Sequence, residues 1–312
     1  MTMYPPAWRF TGLHWESASP VLTASPLPAE PGTRSAAEAR RPAAPGERIA
    51  WTLTGPRTCT GAWTGTARRP CPARTPIPQG TTDAQCPACA QADRGRQIAR
   101  DAAADDGREY QLYLAWFGPG LLKVGLTAAD RGRDRLLEQA AITFTMLAAG
   151  RYAPVRQAER LISATGLATE RISARAKTAA WQSLPPPAER AALLSAARAQ
   201  LISGVPWPRQ ARLLPGQITD QAADFGLSGQ PPGTWREVTG ISDGAVLSGQ
   251  VRLTAGRHLL LDSATGPLLC DMRRAAGWTI RPCPGSAPAP AGLTLASRSP
   301  TGGHDDIQQP LF

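Results

Sequence analysis

Gly118-Pro119-Gly120 separates two short runs, 110–117 and 121–127, in which Tyr, Leu, Trp, Phe and Val dominate. So short a Gly/Pro connection favours an antiparallel return, and the two runs are predicted to form a hairpin. Whatever follows must cover that hairpin. Asp130 can cap a helix reaching about Ala140, although Gly132 near its start costs about 1 kcal/mol relative to Ala. Residues 142–149 are a third strand candidate. Val155, Ala158 and Ile162 recur at three-to-four spacing and predict a helix over 155–165. Glu159 falls about 40° beyond Val155 on the helical wheel, which puts a carboxylate at the edge of an apolar stripe. These elements predict an α+β core: a small antiparallel sheet with flanking helices.

The remainder divides by composition. Residues 8–15 and 49–54 alternate like strands, whereas 20–47 is rich in Pro, Ala, Glu and Arg without an apolar period and reads as a flexible, disordered insertion within an N-terminal region of 1–56. Residues 57–108 form a four-cysteine segment with a weakly apolar helix at 93–107, and 109–204 the core, ending in an Ala/Leu/Arg-rich helix. Residues 205–282 form a small β-module with strands near 235–241, 245–254, 258–262, 267–272 and 278–281. Residues 283–312 read as a disordered tail. At 312 residues and 42% hydrophobic content the chain suits two or three modest globular domains. It contains no run of about 18 apolar residues and its start lacks the pattern of a secretory leader. A cytoplasmic location and no membrane partner are the expectation.

Cys59, Cys71, Cys86 and Cys89 fall close together, and Cys86-Pro87-Ala88-Cys89 has the spacing at which two thiolates reach one ion. His14, His258 and His304 lie elsewhere in the sequence, so a site here would be all cysteine. Four thiolates suit a structural Zn²⁺, closed to catalysis, in a segment with little apolar content. The alternatives are unrelated reduced cysteines or a redox pair at Cys86 and Cys89. Cys270 and Cys283 read as ordinary reduced cysteines.

The net charge is +10, and Lys123 and Lys177 are the only lysines, all other basic side chains being Arg. Between 131 and 177 nine Arg or Lys face only Asp134, Glu138, Glu159 and Glu170. Such an excess attracts polyanions, nucleic acid foremost.

The block resembles the GIY-YIG nuclease superfamily, in which a strand ending Gly-Ile-Tyr pairs with one ending Tyr-Ile-Gly, a helix brings an Arg and a later helix a metal-binding Glu. Here Gln111-Leu112-Tyr113 keeps the Tyr and Lys123-Val124-Gly125 keeps the Gly. A closer resemblance, over about 50–280, is to the bacterial family of domain of unknown function 2797. It is carried by the cysteine segment, Lys123-Val124-Gly125-Leu126-Thr127, Arg135-Leu136-Leu137-Glu138-Gln139, Glu159 and Trp181. The superfamily resemblance implies that Tyr113 contacts or deprotonates a water, that Glu159 holds Mg²⁺ or Mn²⁺, and that an Arg neutralises the transition state. The family pattern selects Arg135 and the superfamily spacing selects Arg133. Lys123 would replace the second Tyr as a phosphate contact, with Gly125 and Thr127 as binding positions on its strand. The structural alternatives are a plain strand Tyr113, a turn-closing Gly125 and a Glu159 paired with Arg156 or Arg160.

The terminal Gln308-Gln309-Pro310-Leu311-Phe312 is similar to the pentapeptide with which bacterial repair proteins dock on the DNA sliding clamp, through Gln308, Leu311 and Phe312. Three functions are therefore expected to compete: a Mg²⁺-dependent DNA endonuclease or phosphodiesterase, a non-catalytic DNA-binding adaptor recruited by the clamp, and an RNA- or ribosome-associated zinc protein.

Overall fold

The computed structural model describes residues 7–27, 38–65, 68–93, 96, 107–229, 233–283 and 288–298. The fold is mixed α/β, mostly strands, with five α-helices and several sheets among those residues. Two compact units share the chain. Unit 1 takes 1–104 and 234–298, and unit 2 takes 105–233 with 299–312.

Unit 1 is built on a nine-stranded sheet. Its N-terminal strands are β1 (Trp8–Glu16), β2 (Ser19–Pro26), β3 (Ala39–Pro42) and β4 (Arg48–Thr54). Its C-terminal strands are β12 (Trp235–Ala255), β13 (His258–Ser263), β14 (Gly266–Asp271), β15 (Thr279–Pro282) and β16 (Ala291–Arg298). β4 lies between β12 and β15, and β15 pairs with β1, so the N-terminal strands and the expected C-terminal module are one sheet. Alternation reveals that a segment is a strand, but it does not name the partner. Ile49, Trp51 and Leu53 of β4 point inward and join Phe10, Leu247, Leu261 and Trp278 in the core.

Two expectations are corrected here. The stretch 20–47 is not a continuous insertion: β2 and β3 pair across it, with Val21 opposite Pro42. The turn that admits β2 is Ser17-Ala18, with φ of 48° and 62°, a left-handed pair made without the Gly or Asn that signals such turns. The segment after 282 is not wholly a tail, since β16 pairs with β12 from Trp235 to Val246 and half-buries Leu293 and Leu295. Residues 28–37 and the candidate clamp peptide at 308–312 lie outside the described residues.

Also in unit 1, the cysteine segment carries the minimal hairpin β5 (Ala62–Trp63) and β6 (Arg68–Arg69) and one short helix, α1 (Pro87–Ala92). Of the helix expected at 93–107, most residues fall outside those described.

Unit 2 carries a five-stranded sheet ordered β10-β9-β7-β8 with β11 beside β9. The strands are β7 (Tyr110–Gly118), β8 (Leu121–Ala128), β9 (Thr143–Gly150), β10 (Arg212–Leu213) and β11 (Ile218–Asp220). The helices are α2 (Gly132–Glu138), α3 (Tyr152–Ala164), α4 (Ala174–Ala180) and α5 (Pro187–Gly204). β7 and β8 form the expected hairpin, with Tyr113 directly opposite Gly125. α3 begins before Val155 because Pro154 falls in its first turn, where a missing N–H is harmless. It buries Val155, Ala158, Glu159 and Ile162 and packs on β7, β8 and β9. α4 is the helix the sequence pattern missed: it is short, and its start is marked only by Ser173, whose side chain accepts the Ala176 N–H.

Candidate functional site

Two constellations stand out, one in each unit. In unit 1 the four Sγ atoms of Cys59, Cys71, Cys86 and Cys89 all lie within 4.8 Å of one another, the Cys71 and Cys86 sulfurs 4.0 Å apart. A tetrahedral Zn²⁺ with bonds near 2.3 Å separates its sulfurs by about 3.8 Å, so the cluster fits the ion with little movement. The Cys86 and Gly61 N–H groups donate to Cys59 Sγ at 3.2 and 3.4 Å, the kind of support a metal-bound thiolate receives. Burial pushes the Cys59 and Cys89 thiols up, while N–H and hydroxyl donors carry Cys71 down, against its burial, to about 6. Four anionic sulfurs this close repel, and a divalent cation removes that conflict.

Among the described residues, the buried apolar side chains clustered with the sulfurs are Ala62 and Ile77. Polar anchors do the remaining work. Arg57 is buried and donates to the carbonyls of Pro78, Thr81 and Ala276 at 2.7, 2.8 and 2.8 Å, and to those of Asp83 and Arg273 at 3.3 and 3.1 Å. One guanidinium thus ties the loop over 78–83 to the 273–276 turn. Burial, then repulsion from Arg274, lowers its pKa to about 10.

In unit 2 the centre is Tyr113, whose side chain lies across the neighbouring strand. Its hydroxyl accepts from Gln139 Nε2 at 2.8 Å and from Lys123 Nζ at 3.2 Å. Any Cβ at Gly125 would collide with that hydroxyl and with ring carbon Cζ, so the Gly is the space the phenol occupies. Behind Gln139 stands Lys177, which donates to the Gln139 carbonyl at 2.9 Å and sits 4.1 Å above the Phe117 ring centre. Both lysines of the chain therefore converge on one Tyr–Gln node. Tyr113 is 2% exposed, whereas Lys123 is half-buried and is the group that solvent can reach.

Glu159 is 5% exposed and pairs with Arg156, whose Nη1 also reaches Glu170 Oε2 at 3.2 Å. Glu170 is brought there because Thr169 pairs with the free edge of β8: Val124 N–H donates to Thr169 O at 2.9 Å and Thr169 N–H to Leu122 O at 3.0 Å. Burial raises the Glu159 pKa above the ordinary carboxylate value, opposed by Arg156 and by the nearby Lys123 charge. Arg156 is held protonated by both carboxylates against its own burial.

The two helical arginines singled out in the sequence turn elsewhere. Arg133 bonds Gln221 at 3.2 Å and pairs with Asp224, and Arg135 pairs with Glu138 at 3.3 Å. The donors to Tyr113 and Glu159 are instead Lys123, Gln139 and Arg156. Thr127 is buried with its hydroxyl on the Ala128 carbonyl, and Trp181 is buried. The guanidinium beside Glu159 is Arg156, and it stands between the two carboxylate oxygens that a divalent ion would need. Among the described residues the cysteines alone make a cluster of three or more metal-ligating side chains. The arrangement as it stands does not fit Mg²⁺ or Mn²⁺ at Glu159. The sequence pointed to Arg156 only as a structural partner for Glu159. It marked Lys177 by rarity, and it gave no signal for Glu170, which a strand-edge contact delivers.

The model of a family described as protein of unknown function (DUF2797) matches residues 46–280, and the chain belongs to that family. No curated protein and no solved structure is matched by the chain.

Proposed function

From that membership, which brings no assigned activity, we propose that the protein is a zinc-stabilised nucleic-acid-binding protein whose unit 2 core takes a backbone phosphate at Lys123. The observation that carries this reading is the convergence of the two lysines of an otherwise arginine-only chain on the Tyr113–Gln139 node. An ammonium has three donors and Tyr113 receives one, so Lys123 keeps donors for a phosphate while the buried phenol fixes its position. The net charge of +10 supports a polyanionic partner. Zn²⁺ would be held by Cys59, Cys71, Cys86 and Cys89 and would supply folding energy rather than chemistry.

The test is affinity for DNA and RNA duplexes across a salt series, wild type beside Lys123→Ala. Loss of one phosphate contact lowers the log–log salt slope on duplex DNA by about 0.9. An unchanged slope and affinity would overturn the role of Lys123. Docking of Gln308, Leu311 and Phe312 on the DNA sliding clamp belongs to the same proposal and selects DNA. Deleting Leu311 and Phe312 should then abolish clamp binding.

A second reading, the GIY-YIG-like nuclease, is favoured by one observation: two carboxylates, Glu159 and Glu170, share one arginine. It requires Arg156 to swing away before an ion can enter. A cleavage screen of structured DNA and RNA with Mg²⁺ and Mn²⁺, wild type beside Glu159→Gln, separates the readings. The binding reading expects no metal-dependent product, and cleavage lost in Glu159→Gln would replace it with the nuclease.

A further inference from the structure

The β5–β6 hairpin of the cysteine segment carries an exposed aromatic side chain. Trp63 is 39% exposed, while the other eight tryptophans of the chain are buried or half-buried. Its neighbour Ala62 points inward against the four sulfurs, so Trp63 projects the opposite way. Directly across the hairpin stands Arg68, on the same face as Trp63, and Arg69 stands opposite Ala62. Arg69 and Arg74 are exposed, and Arg68 is half-buried, its charge helping to hold Asp93 ionised.

Hydrogen bonds anchor β5 although it is only two residues long. Asp93 Oδ2 accepts the Trp63 N–H at 2.8 Å and Gln85 Nε2 at 2.7 Å, and Gln85 also donates to the Gly61 carbonyl at 2.7 Å. Asp93 is itself buried, and these donors keep it ionised below the usual carboxylate range despite that burial. Cys59 and Cys71 bracket the hairpin in sequence, so a metal at the cluster would fix both ends.

A flat apolar ring, a cross-strand guanidinium and further exposed arginines match a ligand that offers a planar face and a negative charge together. A nucleobase with its phosphate does so, but only when the base is unstacked. We propose that the Trp63 hairpin is a platform for single-stranded nucleic acid, one base stacking on Trp63 while Arg68 and Arg69 take the adjoining phosphates. This rests on the reading that the protein binds nucleic acid and adds to it a second surface and a strand preference.

The experiment titrates the full-length, metal-loaded protein with labelled oligothymidylate, oligouridylate, a duplex of equal length and polyglutamate, and reads anisotropy. Trp63→Ala should weaken both single strands on the order of tenfold, Trp63→Phe should retain most of the affinity, and duplex binding should hardly change. Arg68→Ala with Arg69→Ala should flatten the single-strand salt slope by about 0.7 for each lost contact. Preference for oligothymidylate or oligouridylate names DNA or RNA as the source. The proposal is overturned if wild type binds neither single strand, if Trp63→Ala matches wild type, or if Phe fails as badly as Ala. It is equally overturned if polyglutamate binds as tightly with the same dependence on Trp63, which would make the surface an acidic-peptide site. Lys123→Ala run in parallel keeps the two ideas apart: weaker binding there with an unchanged Trp63→Ala removes the platform and leaves the unit 2 site standing.

Discussion

The cysteine segment and the β7–β8 hairpin region are both small, basic and candidate sites, yet their shapes have different causes. The first has four sulfurs, Ala62 and Ile77 for a core, and borrows its order from Arg57, Asp93 and the geometry of a closed four-thiolate cluster. The second buries Tyr113, Phe117, Leu136 and Phe144 around a sheet. A ligand set can fix a loop with almost no apolar burial, but it then makes the loop's shape conditional on one ion. A packed hairpin is unconditional, and it can hold a phenol against a glycine for as long as the domain is folded.

The largest effect should therefore come from metal removal. A strong chelator, or Cys86→Ser with Cys89→Ser, should release one zinc per chain and cost on the order of 10 kcal/mol of local ordering energy in the cysteine segment. Amide exchange should rise across 57–93 and stay slow across 110–128. Equal loosening of both regions would erase the contrast.

The next effect tests the charge cluster of unit 2. Arg156→Ala leaves Glu159 buried beside Glu170 without its guanidinium and should destabilise unit 2 by roughly 3 kcal/mol, whereas Glu159→Gln should cost clearly less. Denaturant melts of the three proteins check the order. A Glu159→Gln protein as unstable as Arg156→Ala would mean that the carboxylate charge itself is required there.

Gly125→Ala comes third. Its Cβ collides with the Tyr113 hydroxyl, so the phenol must move at a cost of about 1–3 kcal/mol. Phosphate binding at Lys123 should fall with it, because the Tyr113 contact that positions the ammonium is broken. In a Tyr113→Ala background, where the clash is gone, Gly125→Ala should add little further loss of stability or of binding.

The smallest effect is a pH dependence. Asp220 lies below the usual carboxylate range, despite burial, because Arg190 grips both its oxygens at 2.8 and 2.9 Å and Thr143 and the Ala222 N–H donate to it. A depressed folded pKa gives stability that is fully present above the unfolded value of about 4 and is lost as pH falls through the folded one. Asp220→Asn should flatten acid unfolding of unit 2 over that window, read by circular dichroism.

How much was legible follows the same division. The cysteines could be read because thiolate spacing is a local property, and the β7–β8 hairpin because Gly118-Pro119-Gly120 marks a tight return; the Tyr113–Gly125 register could not, since an irregularity between Trp116 and Gly118 shifts it. The partners that arrive from far along the chain could not. Thr169 on the β8 edge carries Glu170 to Arg156, Asp224 draws Arg133 away, and β15 fastens to both β1 and β4. A helical wheel placed Glu159 at a rim and could not see that the rim would be covered. The Ser17-Ala18 turn and the Pro-rich β2 hid a strand because neither carries the residues that advertise one.

One footprint bears most directly on the claim that these two differently built regions both meet nucleic acid. Hydrogen exchange of the zinc-loaded protein, with and without a saturating single-strand–duplex junction, should show new protection in β5 and β6 and along 121–125 of β8, with the unit 1 sheet unchanged. Protection confined to other segments, or none at either place while the junction is bound, would contradict it.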